Sequence, residues 1–342
     1  MSVSLYRHRR QLTLIATVLV TVLAVFGSSL PAFADPDPGN EGGSAALADK
    51  LEQLAQNYYT AQGALVASQK RQGELTVKLR DSQLALARLT VDIGQTAAAR
   101  YESGQLNVIT GLFTGGNTSP HSLLQGASMA DYLIWRDNEQ LREYKNARDS
   151  AQRDQAALEN ELKIQAKAAA DLDAQKRDAE KALAAVGGMV TTGYDGPAQP
   201  AQAAPRNADG SWPRESASVK DPTDTGGKIT PRMYHTLIEA QLAGFTRYTR
   251  CWRTQSWGEH PKGRACDFSA TKDGFGGIAA GDDKAYGTRL ASWGIANAQA
   301  LGIMYVIWFK QIWMPGIGWR AYTTECCDPS GAHENHVHIS VL

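Results

Sequence analysis

In SWGEHPKGRACDFSA, residues 256–270, His260 and Asp267 stand seven positions apart around a glycine and basic residues. Both side chains are good ligands for a divalent metal, and Gly263 can supply the turn that brings them to one face. Near the end of the chain HENHVHISV adds His333, His336 and His338. His336 and His338 alternate with Val337, so on a strand they share a face. Four of the seven histidines therefore fall between 260 and 338. A catalytic zinc takes three protein ligands and keeps a fourth position for water. The two segments together predict a mononuclear zinc cluster and metal-assisted hydrolysis.

Such a cluster needs a scaffold, and residues 228–342 supply one. Thr230-Pro231 has the form of a helix start, threonine as cap and proline first in the helix, continued by Met233, Leu237 and Ala240. Residues 246–254 and 264–269 alternate like strands. A helix is predicted over 285–301, a strand over 303–309, a strand, Pro-Gly turn and return in QIWMPGIGWR, and a last strand over 336–341. Short strands mixed with helices read as an α+β domain. Trp252, Trp257 and Trp308 either line a binding groove or belong to the core.

SWGEHPKGRACDF resembles the S-x-H-x-x-G-x-A-x-D segment of the LAS superfamily of zinc peptidases, which pair it with a late HxH or E-x-x-H. The group includes D-alanyl-D-alanine carboxypeptidases, dipeptidases and other peptidoglycan endopeptidases. The resemblance implies the LAS/hedgehog-like zinc peptidase fold, with zinc held by His260, Asp267 and His338. It implies His336 as the group that deprotonates water, with Glu334 as second choice. Arg253, in CWRT, matches an arginine that contacts the substrate carboxylate or the oxyanion. The family serine falls at Gly258, and Glu334 stands four residues before His338 where the dipeptidases have three. Taken whole, the domain is also similar to secreted C-terminal domains recognised by WGEH-x-x-GRA-x-DFS, YVIW…IW-x-PG-x-GWR and HVHISV. That likeness leaves the activity open between a hydrolase and a non-catalytic wall-binding module with a degenerate site.

The other half of the chain is of a different kind. Leu51, Leu54, Tyr58, Ala61, Leu65, Leu75, Leu79, Leu86 and Leu89 follow a three-four alternation interrupted by Ser68, Gln72 and Ser82. A second, leucine-poorer series runs from about Ala130 to Val186. These predict a long coiled-coil helical hairpin over 45–186, a rod on the order of 75 Å long at about 1.5 Å per residue. Its tip, 106–129, breaks the heptads and carries Leu106, Ile109, Leu112 and Phe113, apolar residues suited to docking a partner. RYESGQLNVITGLFTGG…SLLQGASMADYL resembles the coiled-coil portion of secreted peptidoglycan hydrolases that work with a membrane ABC-type division complex. There the helices hold the hydrolase in check. A coiled-coil interaction protein with a passive globular domain is the competing reading. Gly187-Gly188 closes the second helix, and 187–227, rich in Pro, Ala and Gly, reads as a flexible or semi-extended linker.

Address and charge narrow the function class. Arg7, Arg9 and Arg10, an apolar run from Leu12 to Phe26 and Ala32-Phe33-Ala34 form a signal peptide over 1–34, cleaved before Asp35. No later stretch is apolar enough to span a membrane, so the mature protein is expected to be secreted, extracellular or wall-associated. Lys+Arg and Asp+Glu each number 35, giving zero formal net charge, which argues against a nucleic-acid partner. Peptidoglycan peptides are the expected substrate. All four cysteines, Cys251, Cys266, Cys326 and Cys327, lie in the C-terminal third. Export favours pairing them, and the expectation is one or two bridges from Cys251 and Cys266 to the Cys326-Cys327 corner.

Overall fold

Helix α1, Ala45–Glu102, and helix α2, Pro120–Ala184, run 58 and 65 residues and pack along each other as the predicted hairpin. The computed structural model describes residues 43–102, 119–323 and 328–342. The expected signal segment, Leu106, Ile109, Leu112 and Phe113 of the tip, and Cys326-Cys327 lie outside them. The second arm starts at Pro120, ten residues before the heptads become regular, because proline is well placed at the first position of a helix. Away from the base, Leu65, Leu75, Leu79, Leu86 and Leu89 are half-buried, as expected of two helices with no third layer, whereas Leu51, Leu54 and Leu183 at the base are buried. The residues that interrupt the seam have a use: each reaches polar groups on the facing helix. Ser82 Oγ donates to Asp154 at 2.7 Å, Gln72 accepts from Gln165 at 3.0 Å, and Ser68 Oγ lies 3.4 Å from the Glu161 carbonyl. Arg71 adds a two-pronged pair to Glu161 at 2.9 and 3.0 Å. Apolar contacts slide easily from one heptad to the next, whereas these pairs match in one register only.

After the hairpin come β1 (Gly187–Val190), β2 (Val219–Lys220), β3 (Lys228–Ile229), α3 (Pro231–Leu242), β4 (Thr249–Arg250) and β5 (Ala265–Ser269). Then follow α4 (Gly281–Ala296), α5 (Ala298–Leu301), β6 (Ile303–Trp308), β7 (Gln311–Met314), β8 (Gly318–Tyr322) and β9 (His336–Val341). Seven strands form one antiparallel sheet in the order β1-β8-β7-β6-β9-β5-β4, and β2 pairs with β3. Helices beside a small antiparallel sheet make the expected α+β domain. Thr230 caps α3, its Oγ1 accepting from the Met233 amide at 3.2 Å. The helix predicted over 285–301 starts at Gly281 and breaks at Asn297, whose side chain turns aside to bond backbone at Gln199 and Trp293. The strand predicted over 246–254 pairs only at 249–250 before leaving the sheet.

The sheet is covered on both faces. Val337, Ile339 and Val341 of β9 point into a core with Phe268 and residues of α3 and α4. On the opposite face Tyr305 and Ile307 pack with Leu51, Ala55, Leu183 and Val186 from the base of the hairpin. The Tyr59 hydroxyl donates to the Ile303 carbonyl at 2.6 Å and lies 3.0 Å from that of Ala298. The rod is thus fused to the domain through a shared core. Residues 187–227, expected as a linker, are extended but tied down. Gly187–Val190 is an edge strand, Ala204 is buried, and the Ala201 and Gln202 amides bond to Asn297 and Glu239 at 2.7 Å. No described helix is long and apolar enough to cross a membrane.

Candidate metal centre

Strand register assembles the site. β9 lies between β6 and β5, and the β5 ladder sets Asp267 opposite His338 and Ser269 opposite His336. His336, His338 and Asp267 therefore share a face, the one under the hairpin. His260 arrives from the loop that precedes β5. Its return depends on Gly263, at φ 71°, where a Cβ would stand 2.6 Å from the Lys228 carbonyl oxygen. Gly258 is also left-handed at φ 91°, a conformation open to glycine and strained for serine.

The three predicted ligands converge. His260 Nε2 is 3.2 Å from His338 Nδ1 and 3.2 Å from Asp267 Oδ2, and His338 Nδ1 is 2.9 Å from Asp267 Oδ1. Donors about 2.0–2.1 Å from one tetrahedral ion stand roughly 3.3 Å apart, so the spacing fits. Tautomers support the same conclusion. His260 Nδ1 is bonded to the Cys251 carbonyl, which can only accept, so the ring N–H is on Nδ1 and Nε2 turns toward the cluster. His338 Nε2 is 2.7 Å from Ser340 Oγ, so its other nitrogen faces His260. Tyr305 stacks flat on the His338 ring at 5.6 Å. Two imidazole nitrogens and a carboxylate directed at one point form a set that can hold a metal ion.

The surroundings are dry. His260, Asp267, His333, His336 and His338 are each at most 4 % exposed. Burial by itself would raise the Asp267 carboxyl, but His260, Arg253 and His336 around it outweigh burial and hold it well below the usual range. Burial lowers His336 to about 4, so this ring is neutral at pH 7. Its Nδ1 lies 2.8 Å from Asn335 Oδ1, and the Asn335 amide is oriented by donating to the Gly276 carbonyl at 2.7 Å. The ring N–H is therefore on Nδ1. His336 Nε2 offers a lone pair 3.4 Å from Asp267 Oδ1, with no hydrogen-bond partner.

Arg253 is placed against Asp267 Oδ2, with Nε on Gln255 at 2.6 Å. Glu334 is drawn the other way, to Lys310 Nζ at 3.1 Å. Trp308 is fully buried under Gly287 and donates to Thr288, so it is core and not groove; Trp252 and Trp257 are half-buried. The expected bridges to Cys326-Cys327 give way to Cys251–Cys266. The β4–β5 register that pairs Arg250 with Asp267 puts these two cysteines directly opposite each other one step on.

His333 was left without a role by the sequence reading. Its ring lies 4.8 Å from that of His336 and 5.8 Å from that of His338, and its Nε2 has no hydrogen-bond partner. Burial, then repulsion by His336 and His338, holds its pKa well below the ordinary value. Its backbone is left-handed at φ 53°, and its carbonyl accepts from Phe309, which with Lys310 forms another left-handed pair. The H-x-x-H-x-H spacing was the available signal.

Residues 225–337 match the family model described as VldE, C-terminal domain. The match takes in His260, Asp267 and His336 and stops one residue before His338. No curated protein and no solved structure matches the chain.

Proposed function

We propose that the chain is a secreted, zinc-dependent hydrolase of peptidoglycan stem peptides, a carboxypeptidase or endopeptidase, localised or regulated by its hairpin. One observation carries this reading: His260 Nε2, Asp267 and His338 Nδ1 converge beside the unpartnered nitrogen of His336. The LAS-like segment supports the same chemistry. The chemistry a bound zinc supplies is Lewis acidity, which makes water acidic near pH 7 and polarises a carbonyl. His260, Asp267 and His338 hold the ion. His336 accepts a proton at Nε2 and passes it on to the leaving amine, with Glu334 as the second candidate. Arg253 offsets negative charge beside the site, on Asp267 and on a substrate carboxylate. The surrounding burial excludes water that is not reacting.

The test uses the full chain, with metal analysis and mass spectrometry of digested peptidoglycan. The expected result is about one zinc per chain and shortened or uncrosslinked stem peptides. His260→Ala and Asp267→Ala should abolish both. Zinc content unchanged by these substitutions would sink the reading.

A second reading, a non-catalytic wall-binding protein, is favoured by the burial of the cluster and the guanidinium on Asp267. It predicts pull-down by cell wall without product release. Docking of the hairpin tip on a membrane division or transport complex belongs to the first reading. Leu124, Met129, Tyr132 and Trp135 are exposed there. Deleting 106–129 should abolish co-purification with such a complex and leave zinc content intact.

A further inference from the structure

Between α1 and the extended segment 206–215 lies a cavity of about 610 Å³, remote in composition from the histidine cluster. Arg71, Arg206, Arg214, Arg232 and Arg264 line it, together with Asp209, Glu215 and the last residue, Leu342. Three of the arginines have carboxylate partners, Arg71 with Glu161, Arg264 with Glu52 and Glu259, and Arg232 with Glu215. Arg206 donates only to the carbonyls of Gly210 and Gln299, at 3.2 and 2.7 Å. Arg232 is 2 % exposed and contacts Glu215 at 3.6 Å, the Pro213 carbonyl at 2.8 Å and the Leu342 carbonyl. Its Nε, like the Trp212 indole N–H, has no hydrogen-bond partner. The guanidinium groups of Arg206 and Arg232 lie 3.8 and 4.8 Å from the centre of the same Trp212 ring.

Arg206 and Arg232 share one aromatic ring, and like charges brought so close repel one another. Burial lowers the Arg232 pKa, and Arg264 and Arg206 lower it further while Glu215 resists. The helix side of the cavity is built from Gly63, Ala64 and Ala67, and a Cβ added at Gly63 would meet nothing within 4 Å. Small residues there leave a volume typical of small-ligand sites.

We propose that this cavity binds an oxyanion ligand, a phosphate or carboxylate group held by Arg206, Arg214 and Arg232 with the Trp212 indole N–H beside it. Forked guanidinium donors suit both anions. The site is independent of metal binding at the histidine cluster.

The experiment is a thermal-shift titration of the full chain with inorganic phosphate and, separately, with succinate, each against sodium chloride at matched ionic strength. The proposal expects a saturable rise in Tm with at least one of the two, half-maximal below about 1 mM; the responding probe identifies the class. Arg206→Gln/Arg214→Gln should weaken it by about tenfold or more. Gly63→Phe, which fills the cavity without touching a charge, should abolish it. His260→Ala should leave it in place, so a failed hydrolase reading and a failed anion site give different results. No saturable shift with either probe, or an equal shift in both cavity variants, overturns the proposal.

Discussion

His260 is restrained at its far end: Nδ1 is committed to the Cys251 carbonyl, and Cys251 is bonded to Cys266 beside Asp267. Replacing both cysteines by serine should therefore act twice. Opening a link of separation 15 costs about 3 kcal/mol, read by urea unfolding. Loosening the carbonyl that orients the ligand should weaken metal binding by about tenfold or more, read by chelator competition. Gly263→Ala should cost about 1–3 kcal/mol for its left-handed backbone, besides the clash with Lys228, and lower metal affinity with it. At this scale the grouping of His260, Asp267 and His338 was legible, because H-x6-D, HVH and the turn glycine are local patterns. The disulfide was not, since it depends on how β4 meets β5. His333 was not either, since its place is fixed by a left-handed backbone bonded to the Phe309 turn.

Among the elements, α1 and the ligand loop are joined by a charge network. Glu52 contacts Lys262 and Arg264, each at 2.5 Å, and both also reach the buried Glu259 next to His260. Burial acts to raise the Glu52 carboxyl, but the Lys262 hydrogen bond and the Arg264 charge outweigh it, so it lies below its ordinary 4.5. A depressed carboxyl contributes stability that is present above the unfolded value and lost as pH falls through the folded one. Glu52→Gln should therefore cost about 1–2 kcal/mol at neutral pH, with the two stability curves converging as pH falls below 4.5. Denaturant unfolding across the acid range checks this; a difference that does not vary with pH would refute it. Helices and the β6–β9 strands were readable because their hydrophobic periods are long. The early end of β4 and the break at Asn297 come from tertiary hydrogen bonds that no period records.

At the level of the whole molecule, 228–342 read as a self-contained domain, yet one face of its sheet is closed by Leu51, Ala55, Leu183 and Val186. Expressed without 45–186, the remainder should expose Tyr305, Ile307, Ile312 and Met314 and aggregate, or bind a hydrophobic dye strongly, where the full chain does not. A soluble, cooperatively melting 228–342 fragment would contradict this. The amphipathic pattern announced that the helices bury a seam against each other. It did not announce that the first turns of α1 and the last turn of α2 bury a second surface, because Leu51 and Leu183 sit in register with the rest.

The stacked Tyr305 gives this fusion a mechanical meaning. A 58-residue helix is a lever arm of roughly 87 Å at 1.5 Å per residue, and its fulcrum lies within the same core as the ring that rests on His338. A sideways push of about 10 Å at the far end tilts the base by about 0.1 radian, displacing an atom 5 Å from the pivot by roughly 0.5 Å, given that rigid length. Reacting groups tolerate misplacement of only about 1 Å before rates collapse. Geared down in this way, a large, soft motion at the tip arrives at the histidines as a small and forceful one.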